Sequence, residues 1–290
     1  MRIIDRLEAR LGAWVARHAR AFEERVSRAP ARWDYGVVIL MDAMGYKGIW
    51  RRAPNPDVVM RKLRRLQDRM RYRGRDQLGS GLLGRLRYLS VPRSVEPVLR
   101  GISDSTLLLV RLPRDRPEWQ DLYLFIALSI AQQVYLDGAR LEPRWATRGA
   151  MAIGEFVADT KGPFIVGPAV DEAAAAMEAS AGAFVMATES AIGPLQSLTE
   201  RDRRREGFHA AFDLQTVPWR VPMKDKSHRE TMVLNPFAMD AAWRRREVTN
   251  QILSCFSDEP KVAEYRQNTA DFLHHTAGLV EARLRAAREG

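Results

Sequence analysis

The chain contains the stretch YGVVILMDAMGY at residues 35–46. Its apolar and β-branched run, Tyr35–Leu40, predicts a buried strand that stops at the segment 41–45, which contains a glycine. Asp42 therefore lies at the end of a buried strand, where the backbone amides of the following turn can face a phosphate. An aspartate in this position is also a common helix N-cap, so Asp42 alone identifies no chemistry.

A second aspartate lies on a predicted hairpin turn. The sequence predicts strands at 96–99 and 106–112, and the segment Gly101-Ile102-Ser103-Asp104 joins them. Two carboxylates at the tips of neighbouring strands can share a pair of hard cations, as in metal-dependent phosphoryl chemistry. Asp104 alone is more simply a turn former, because aspartate is common in turns. The two aspartates become informative only if their side chains converge in space.

The other elements follow in an order that is typical of an α+β fold. We expect helices on one face of a largely antiparallel sheet. Helices are predicted at 3–26, 55–71, 118–136, 171–181, 238–255 and 261–288, and further strands at 86–90, 149–157, 164–167, 183–188, 217–221 and 231–234. After Pro194 the pattern loosens and predicts no helix before the strand at 217–221.

Composition limits the kinds of partner. The 290 residues carry a formal net charge of +10, and surplus positive charge attracts phosphates on nucleic acids, lipids or free nucleotides. No nucleic-acid-binding motif accompanies the charge, so we expect no stable nucleic-acid partner. The longest strongly apolar stretch, Leu122–Ala131, is too short to span a membrane. Because the single cysteine, Cys255, also fits a reducing compartment, we predict a cytoplasmic protein without a membrane span.

Four segments follow one another in the order and spacing of a known set of motifs. At 38–46 a strand ends in aspartate, two residues intervene, and glycine and an aromatic residue follow. At 102–105 an aspartate lies in a hairpin, at 148–154 a strand begins with arginine, and at 166–171 a Gly-Pro pair precedes a helix. Over residues 33–190 the set resembles the metal, triphosphate and transition-state motifs of class III nucleotidyl cyclases.

The resemblance implies a fold and an assembly. The fold is a class III cyclase fold with a ferredoxin-like βαββαβ core. It divides the chain into an N-terminal amphipathic helix at 1–30, a cyclase catalytic domain at 31–236 and a C-terminal helical extension at 237–290. Class III sites form where two catalytic domains meet, and one such domain is recognised here. The resemblance therefore implies a homodimer with its sites at the interface.

The resemblance also implies the residues of the site. Asp42 and Asp104 would be the catalytic residues and would hold two Mn²⁺ or Mg²⁺ ions, with the carbonyl of Ala43 as a further ligand. Arg148 would bind the triphosphate.

The chain departs from the family pattern where the base and the transition state are bound. Aligned on Gly167, the family's transition-state asparagine falls on Asp171 and its arginine on Ala175. The acid that reads adenine falls on Phe164, and the basic residue four positions before the second metal aspartate falls on Arg100. A guanidinium without a carboxylate offers donors and no acceptor. Such a site suits the carbonyl oxygen of a pyrimidine better than the amino group of adenine.

Two aromatic residues, Tyr46 and Trp50, follow the first metal motif four positions apart, where they would either fill the space of a purine or pack in the core. Together these features resemble the pyrimidine cyclases of the bacterial anti-phage system Pycsar. The resemblance implies conversion of UTP to 3′,5′-cyclic UMP and pyrophosphate, as a second messenger for a separate cyclic-nucleotide-binding effector. CTP and cyclic CMP are the nearest alternative. A catalytically inactive cyclase-like domain that binds a nucleotide is the alternative of another class, favoured by the missing asparagine and arginine.

Overall fold

The apolar run at 35–40 belongs to a longer strand, β1 (Asp34–Met44). In the computed structural model, which describes residues 33–44, 55, 57–62, 64, 98–102, 105–115, 117–158, 164–203, 215–238 and 242–289, β1 lies inside an eight-stranded sheet. Val37, Val38 and Ile39 are fully buried, because both faces of the strand are covered. This position explains why the run is continuously apolar instead of alternating.

Seven further strands and five helices are described around β1. The strands are β2 (Val98–Ile102), β3 (Ser105–Arg111), β4 (Ala146–Ala158), β5 (Ile165–Val166), β6 (Val185–Ala187), β7 (Thr216–Pro222) and β8 (His228–Leu234). The helices are α1 (Pro117–Arg140), α2 (Pro168–Ala179), α3 (Glu189–Arg203), α4 (Ala242–Leu253) and α5 (Pro260–Glu289). A helical segment at 57–62 lies between β1 and β2.

The sheet contains the predicted βαββαβ core. Its strand order is β2-β3-β1-β4-β6-β8-β7, and β5 pairs with the end of β4. Among β2, β3, β1 and β4 each neighbouring pair is antiparallel, whereas β6 runs parallel to β4. The hairpin strand β3 lies between β1 and β2, with the helical segment at 57–62 and α1 as the two connections, which is the ferredoxin-like arrangement. The α+β prediction is confirmed.

Helices cover both faces of the sheet, so the prediction of helices on one face is wrong. Val37 and Ile39 belong to the core cluster that includes α1, whereas Val38 packs with Ala169 and Ala173 of α2. Because successive side chains of a strand point to opposite faces, α1 and α2 lie on opposite sides of β1. The apolar run shows that both faces of β1 are buried, but it does not identify the helix that covers each face.

The start of α2 is fixed by a glycine. Gly167 has a φ of +143°, and a Cβ at this position would lie 2.7 Å from the Cα of Phe156. Glycine alone fits such a backbone and such a close approach, and Pro168 then suits the first helical position. The helix therefore begins at Pro168, earlier than the predicted start at Asp171.

The helix α3 was not predicted, because Pro194 lies inside it. Its buried residues Ala191, Leu195 and Leu198 follow helical spacing and form one apolar face. Packing of that face against the core therefore outweighs the loss of one backbone hydrogen bond at the proline.

The apolar composition of α1 is explained by its place in the core. Its stretch Trp119–Arg140 is long and apolar enough to cross a membrane, but 83% of the apolar window is buried inside the protein. Ala127 and Ala131 are completely buried, and the surrounding residues belong to the larger core cluster. A predominantly apolar composition is usual for a helix that is buried in the core of a protein.

The helices predicted at the C-terminus are confirmed as α4 and α5, and α5 is bound to the sheet. Phe272 packs edge-on against Phe184 with 5.7 Å between ring centroids. Thr269 Oγ1 accepts a hydrogen bond from the backbone N–H of Ala183 at 2.9 Å, and Asn268 Nδ2 donates to a nearby backbone carbonyl at 2.7 Å. The C-terminal segment therefore shares the core of the sheet.

Some predicted elements lie outside the described residues. These are the N-terminal helix at 1–30, the strand at 86–90, and residues 65–71 of the helix predicted at 55–71. The domain boundaries after 30 and after 236 stay predictions.

Candidate active site

Three polar side chains meet near the end of β1. Asp42 is the register partner of Ser105 on β3 and of Arg148 on β4. Directly opposite residues in an antiparallel sheet lie on the same face with their side chains adjacent. The fold thus brings together residues that are 63 and 106 positions apart in the chain.

Both carboxylate oxygens of Asp42 have a partner. Ser105 Oγ donates to Oδ1 at 3.1 Å. Arg148 donates to Oδ2 through Nε at 3.3 Å and through Nη2 at 3.2 Å. Such charge-assisted bonds hold the carboxylate in one orientation. The Asp42 and Arg148 side chains are only 16% and 20% exposed, so water screens the ion pair incompletely.

The donor chemistry at Asp42 fits a hard divalent cation. Carboxylate and carbonyl oxygens are the ligands that Mg²⁺ and Mn²⁺ prefer. The side chain of Ala43 is buried in the core, which leaves its backbone as the part available to a ligand. Among the described residues, no three His, Cys, Asp or Glu side chains form a group that could hold a metal ion. Asp42 therefore fits a site that combines few carboxylates with phosphate oxygens.

Three of the predicted site residues lie outside the described residues: Asp104, Tyr46 and Trp50. Arg100 lies on β2, where its backbone pairs with Leu107 of β3. Its position is thus two strands away from β1, near the end of the sheet at which Asp42 lies.

Phe164 lies far from Asp42 within one chain. Arg148 pairs with Asp42 and Phe156 pairs with Asp34, so eight residue steps, about 25 Å of strand, separate these two pairs. Phe164 precedes β5, which pairs with β4 beyond that end, and it is 72% exposed. One chain therefore does not bring Phe164 to the carboxylate of Asp42.

The two positions at which the family's transition-state residues are replaced both lie on α2. Asp171 is in the first turn of the helix and is exposed, and Ala175 is exposed one turn later. Because α2 begins beside β5, this helical turn also lies toward the far end of β4. The structure thus separates these positions and Phe164 from the Asp42 end of the sheet.

Sequence reasoning missed the contacts that Ser105 and Arg148 make with Asp42. The sequence assigns no role to Ser105, and the family resemblance implies for Arg148 only a role in binding the triphosphate. The signal that could have found them is the strand register, because β3 and β4 both pair with β1 and place Ser105 and Arg148 opposite Asp42.

The chain is similar to solved cyclase domains. One is a double mutant of the guanylyl cyclase domain of the RhoGC fusion protein from the aquatic fungus Blastocladiella emersonii. Its sequence identity to this chain is 15% and the TM-score is 0.45. The match covers 71% of this chain and 98% of that chain. The guanylate cyclase domain of RhGC from Catenaria anguillulae in complex with GTP has 15% identity and a TM-score of 0.42, with coverage of 70% and 98%. No family model and no curated protein matches the chain. At these identities the likeness concerns the fold alone.

Proposed function

We propose that the chain is a metal-dependent nucleotidyl cyclase that converts UTP to 3′,5′-cyclic UMP and pyrophosphate. The observation that carries this proposal is the meeting of Asp42, Ser105 and Arg148 at one end of the sheet. These residues belong to three separate segments that resemble cyclase motifs, namely 38–46, 102–105 and 148–154. If the resemblance of the three segments to cyclase motifs were accidental, contact between their polar residues would not be expected.

Chain connectivity supports a role for Asp104 beside Asp42. Asp104 is bonded to Ser105, and consecutive Cα atoms are about 3.8 Å apart. Ser105 is the register partner of Asp42, and Cα atoms of directly paired residues are about 4.5 to 5.5 Å apart. We propose that the carboxylates of Asp104 and Asp42 hold a common pair of cations.

In the proposed reaction, the 3′-oxygen of the ribose bonds to the α-phosphorus as the hydroxyl proton passes to water. The bond from that phosphorus to the bridging oxygen breaks, and pyrophosphate leaves in line. Two divalent ions, when bound, lower the pKa of the hydroxyl and offset the charge of the triphosphate. Asp42, Asp104 and the carbonyl of Ala43 would hold these ions. The guanidinium of Arg148 would orient and neutralise the phosphates.

The position of Phe164 supports a homodimer. We propose that Arg100 and Phe164 of one copy face the nucleotide that is held by Asp42 of the other. The distance along β4 supports this, because Phe164 cannot contact a nucleotide at Asp42 of its own chain without a large rearrangement.

The pyrimidine preference rests on the same two residues. Phe164 replaces a carboxylate and cannot accept a hydrogen bond from an amino group, whereas Arg100 can donate to a base carbonyl. Tyr46 and Trp50 would reduce the space for a purine. UTP is favoured over CTP, which presents the same carbonyl and differs at one edge group. By its resemblance to Pycsar cyclases, the product would serve as an anti-phage signal to a separate effector.

An inactive nucleotide-binding domain is the second candidate. The acidic Asp171 and the small Ala175 favour it, because neither can stabilise negative charge in the transition state. Catalysis is preferred because the Asp42 carboxylate is oriented by two partners, and a domain that only binds a nucleotide has no chemical need for that arrangement.

Incubation of the purified protein with each of the four ribonucleoside triphosphates and Mn²⁺ is expected to yield cyclic product mainly from UTP. We expect a preference for the pyrimidine over each purine of about a hundredfold, because unpaired buried polar groups penalise the wrong base. Product is measured by liquid chromatography and mass spectrometry. No product from any nucleotide would favour the inactive domain, and a dominant purine product would overturn the role of Phe164 and Arg100.

Replacement Arg100→Ala is expected to lower pyrimidine turnover about 10- to 100-fold, through loss of a charged hydrogen bond to the base. Mn²⁺ affinity should not change, since Arg100 is not a metal ligand. Arg111→Ala is the matched control, because Arg111 lies on the neighbouring strand and pairs with Asp34 instead. Equal turnover by the Arg100→Ala variant and the wild type would contradict the base-reading role.

A further inference from the structure

Arg148 contacts the carboxylate that the proposed metal site requires. Its Nε and Nη2 atoms both lie within 3.3 Å of Asp42 Oδ2. Oδ1 accepts the hydrogen bond from Ser105 instead. The positive charge therefore lies on the Oδ2 side of the carboxylate, and a divalent ion bound through Oδ2 would meet the guanidinium at close range.

The backbone around Arg148 is fixed, whereas its side chain is long and rotatable. A Cβ on the next residue, Gly149, would lie 2.6 Å from the carbonyl oxygen of Leu40, so β4 cannot shift toward β1. The N–H of Gly149 also donates to the carbonyl of Phe184 at 2.8 Å. Release of Asp42 by Arg148 therefore requires rotation of side chains and no movement of the strands.

We propose that Arg148 exchanges partners during substrate binding, leaving Asp42 Oδ2 for the triphosphate as the divalent ion binds. This inference rests on the proposed function and adds a property to it: the metal and the triphosphate bind cooperatively. The metal alone must displace a guanidinium whose one ion pair among the described residues is with Asp42. The triphosphate supplies that anion, so each ligand lowers the cost of binding the other.

Ser105 is the positioning residue in this exchange. Its hydrogen bond to Oδ1 does not involve Arg148, so it can hold the carboxylate in place while Oδ2 changes partner. Ser105 and Asp42 are directly paired in the sheet, which keeps this contact independent of the arginine.

The test is Mn²⁺ binding in the absence of nucleotide, followed through the electron paramagnetic resonance signal of free Mn²⁺. Arg148→Gln removes the charge and keeps a polar, shorter side chain. We expect Mn²⁺ affinity to rise about tenfold in this variant, because the competing cation is gone. Binding of 3′-deoxy-UTP, which lacks the attacking hydroxyl, should weaken about tenfold or more in the same variant.

The opposite signs of the two changes separate the proposal from other roles for Arg148. A simple phosphate ligand would leave Mn²⁺ affinity unchanged, and a merely structural ion pair would lower both affinities; either result overturns the exchange. Arg111→Ala, which removes the ion pair at the other end of β1, should alter neither affinity. If Arg148→Gln fails to fold, Arg148→Lys is expected to raise Mn²⁺ affinity about two- to threefold through a looser hold on Asp42.

The result is also distinguishable from failure of the proposed function. Tighter Mn²⁺ binding by the Arg148→Gln variant supports the exchange even if no nucleotide is cyclised. Conversely, cyclic UMP production with no change in Mn²⁺ affinity would uphold the function and overturn the exchange.

Discussion

Replacement of Asp42 by asparagine is expected to lower cyclic product formation about a thousandfold or more. The change removes one of the two proposed metal carboxylates, and loss of several kcal/mol of transition-state stabilisation corresponds to a factor of about this size. The amide oxygen of asparagine can still accept the hydrogen bond from Ser105, so the local structure should persist. Initial rates with UTP and Mn²⁺, together with circular dichroism to check folding, measure the effect.

The matched control lies on the same strand. Asp34 is also on β1 and also pairs with an arginine, since Arg111 Nε lies 2.8 Å from its Oδ2. Asp34→Asn therefore removes the same charge and the same kind of ion pair at the opposite end of the strand. We expect turnover within about twofold of wild type. The catalytic assignment would fail if the Asp42→Asn variant kept more than a tenth of the activity, or if both variants lost it equally.

Local pattern was sufficient to predict the elements that form the core. The run Tyr35–Leu40 predicted β1, and the apolar segment at 118–136 predicted α1. In each case the apolar residues that become buried lie in one continuous segment of the chain, so local sequence is enough to find the element. The sequence does not predict helix α3, because a proline such as Pro194 usually ends a helix, whereas packing of a buried face stabilises this one. A rule based on one residue, such as a proline that ends a helix, does not account for burial against distant parts of the chain.

The site was predicted in its residue types but not in its contacts. The sequence pointed to Asp42 and Arg148 through their separate motifs, and it assigned them to different ligands. Their hydrogen bonds depend on the registers of β1 with β3 and of β1 with β4, which join positions 63 and 106 residues apart. A change of register by one residue would place these side chains on opposite faces, so pairing had to be known before the contacts could be stated.

A second large effect is expected in stability, at a buried lysine far from any predicted motif. Lys62 is 2% exposed, and its Nζ donates to the carbonyl oxygens of Gly138, Leu141 and Pro143 at 2.8, 2.7 and 2.5 Å. The same Nζ lies 3.2 Å from the centroid of the Trp145 ring. The ammonium group therefore joins the helical segment at 57–62 to the C-terminal end of α1, where the helix dipole favours a positive charge.

Lys62→Met is expected to lower the free energy of unfolding by about 3 kcal/mol, which is a fall in melting temperature of roughly 5 to 10 °C. Methionine fills a similar volume, so the loss comes from buried carbonyls left without a donor and from the lost charge over the indole ring. Relief from burying an ammonium group offsets part of this loss, which is why the expected value is well below the sum of the separate contacts.

The matched control is Lys226→Met, because the Lys226 side chain is 71% exposed and pairs with Glu264 on the surface. That variant should change the free energy by less than about 1 kcal/mol, since exposed ion pairs contribute little. Equal melting temperatures for the Lys62→Met variant and the wild type would mean that the three carbonyls find other donors, and that Lys62 does not hold the end of α1.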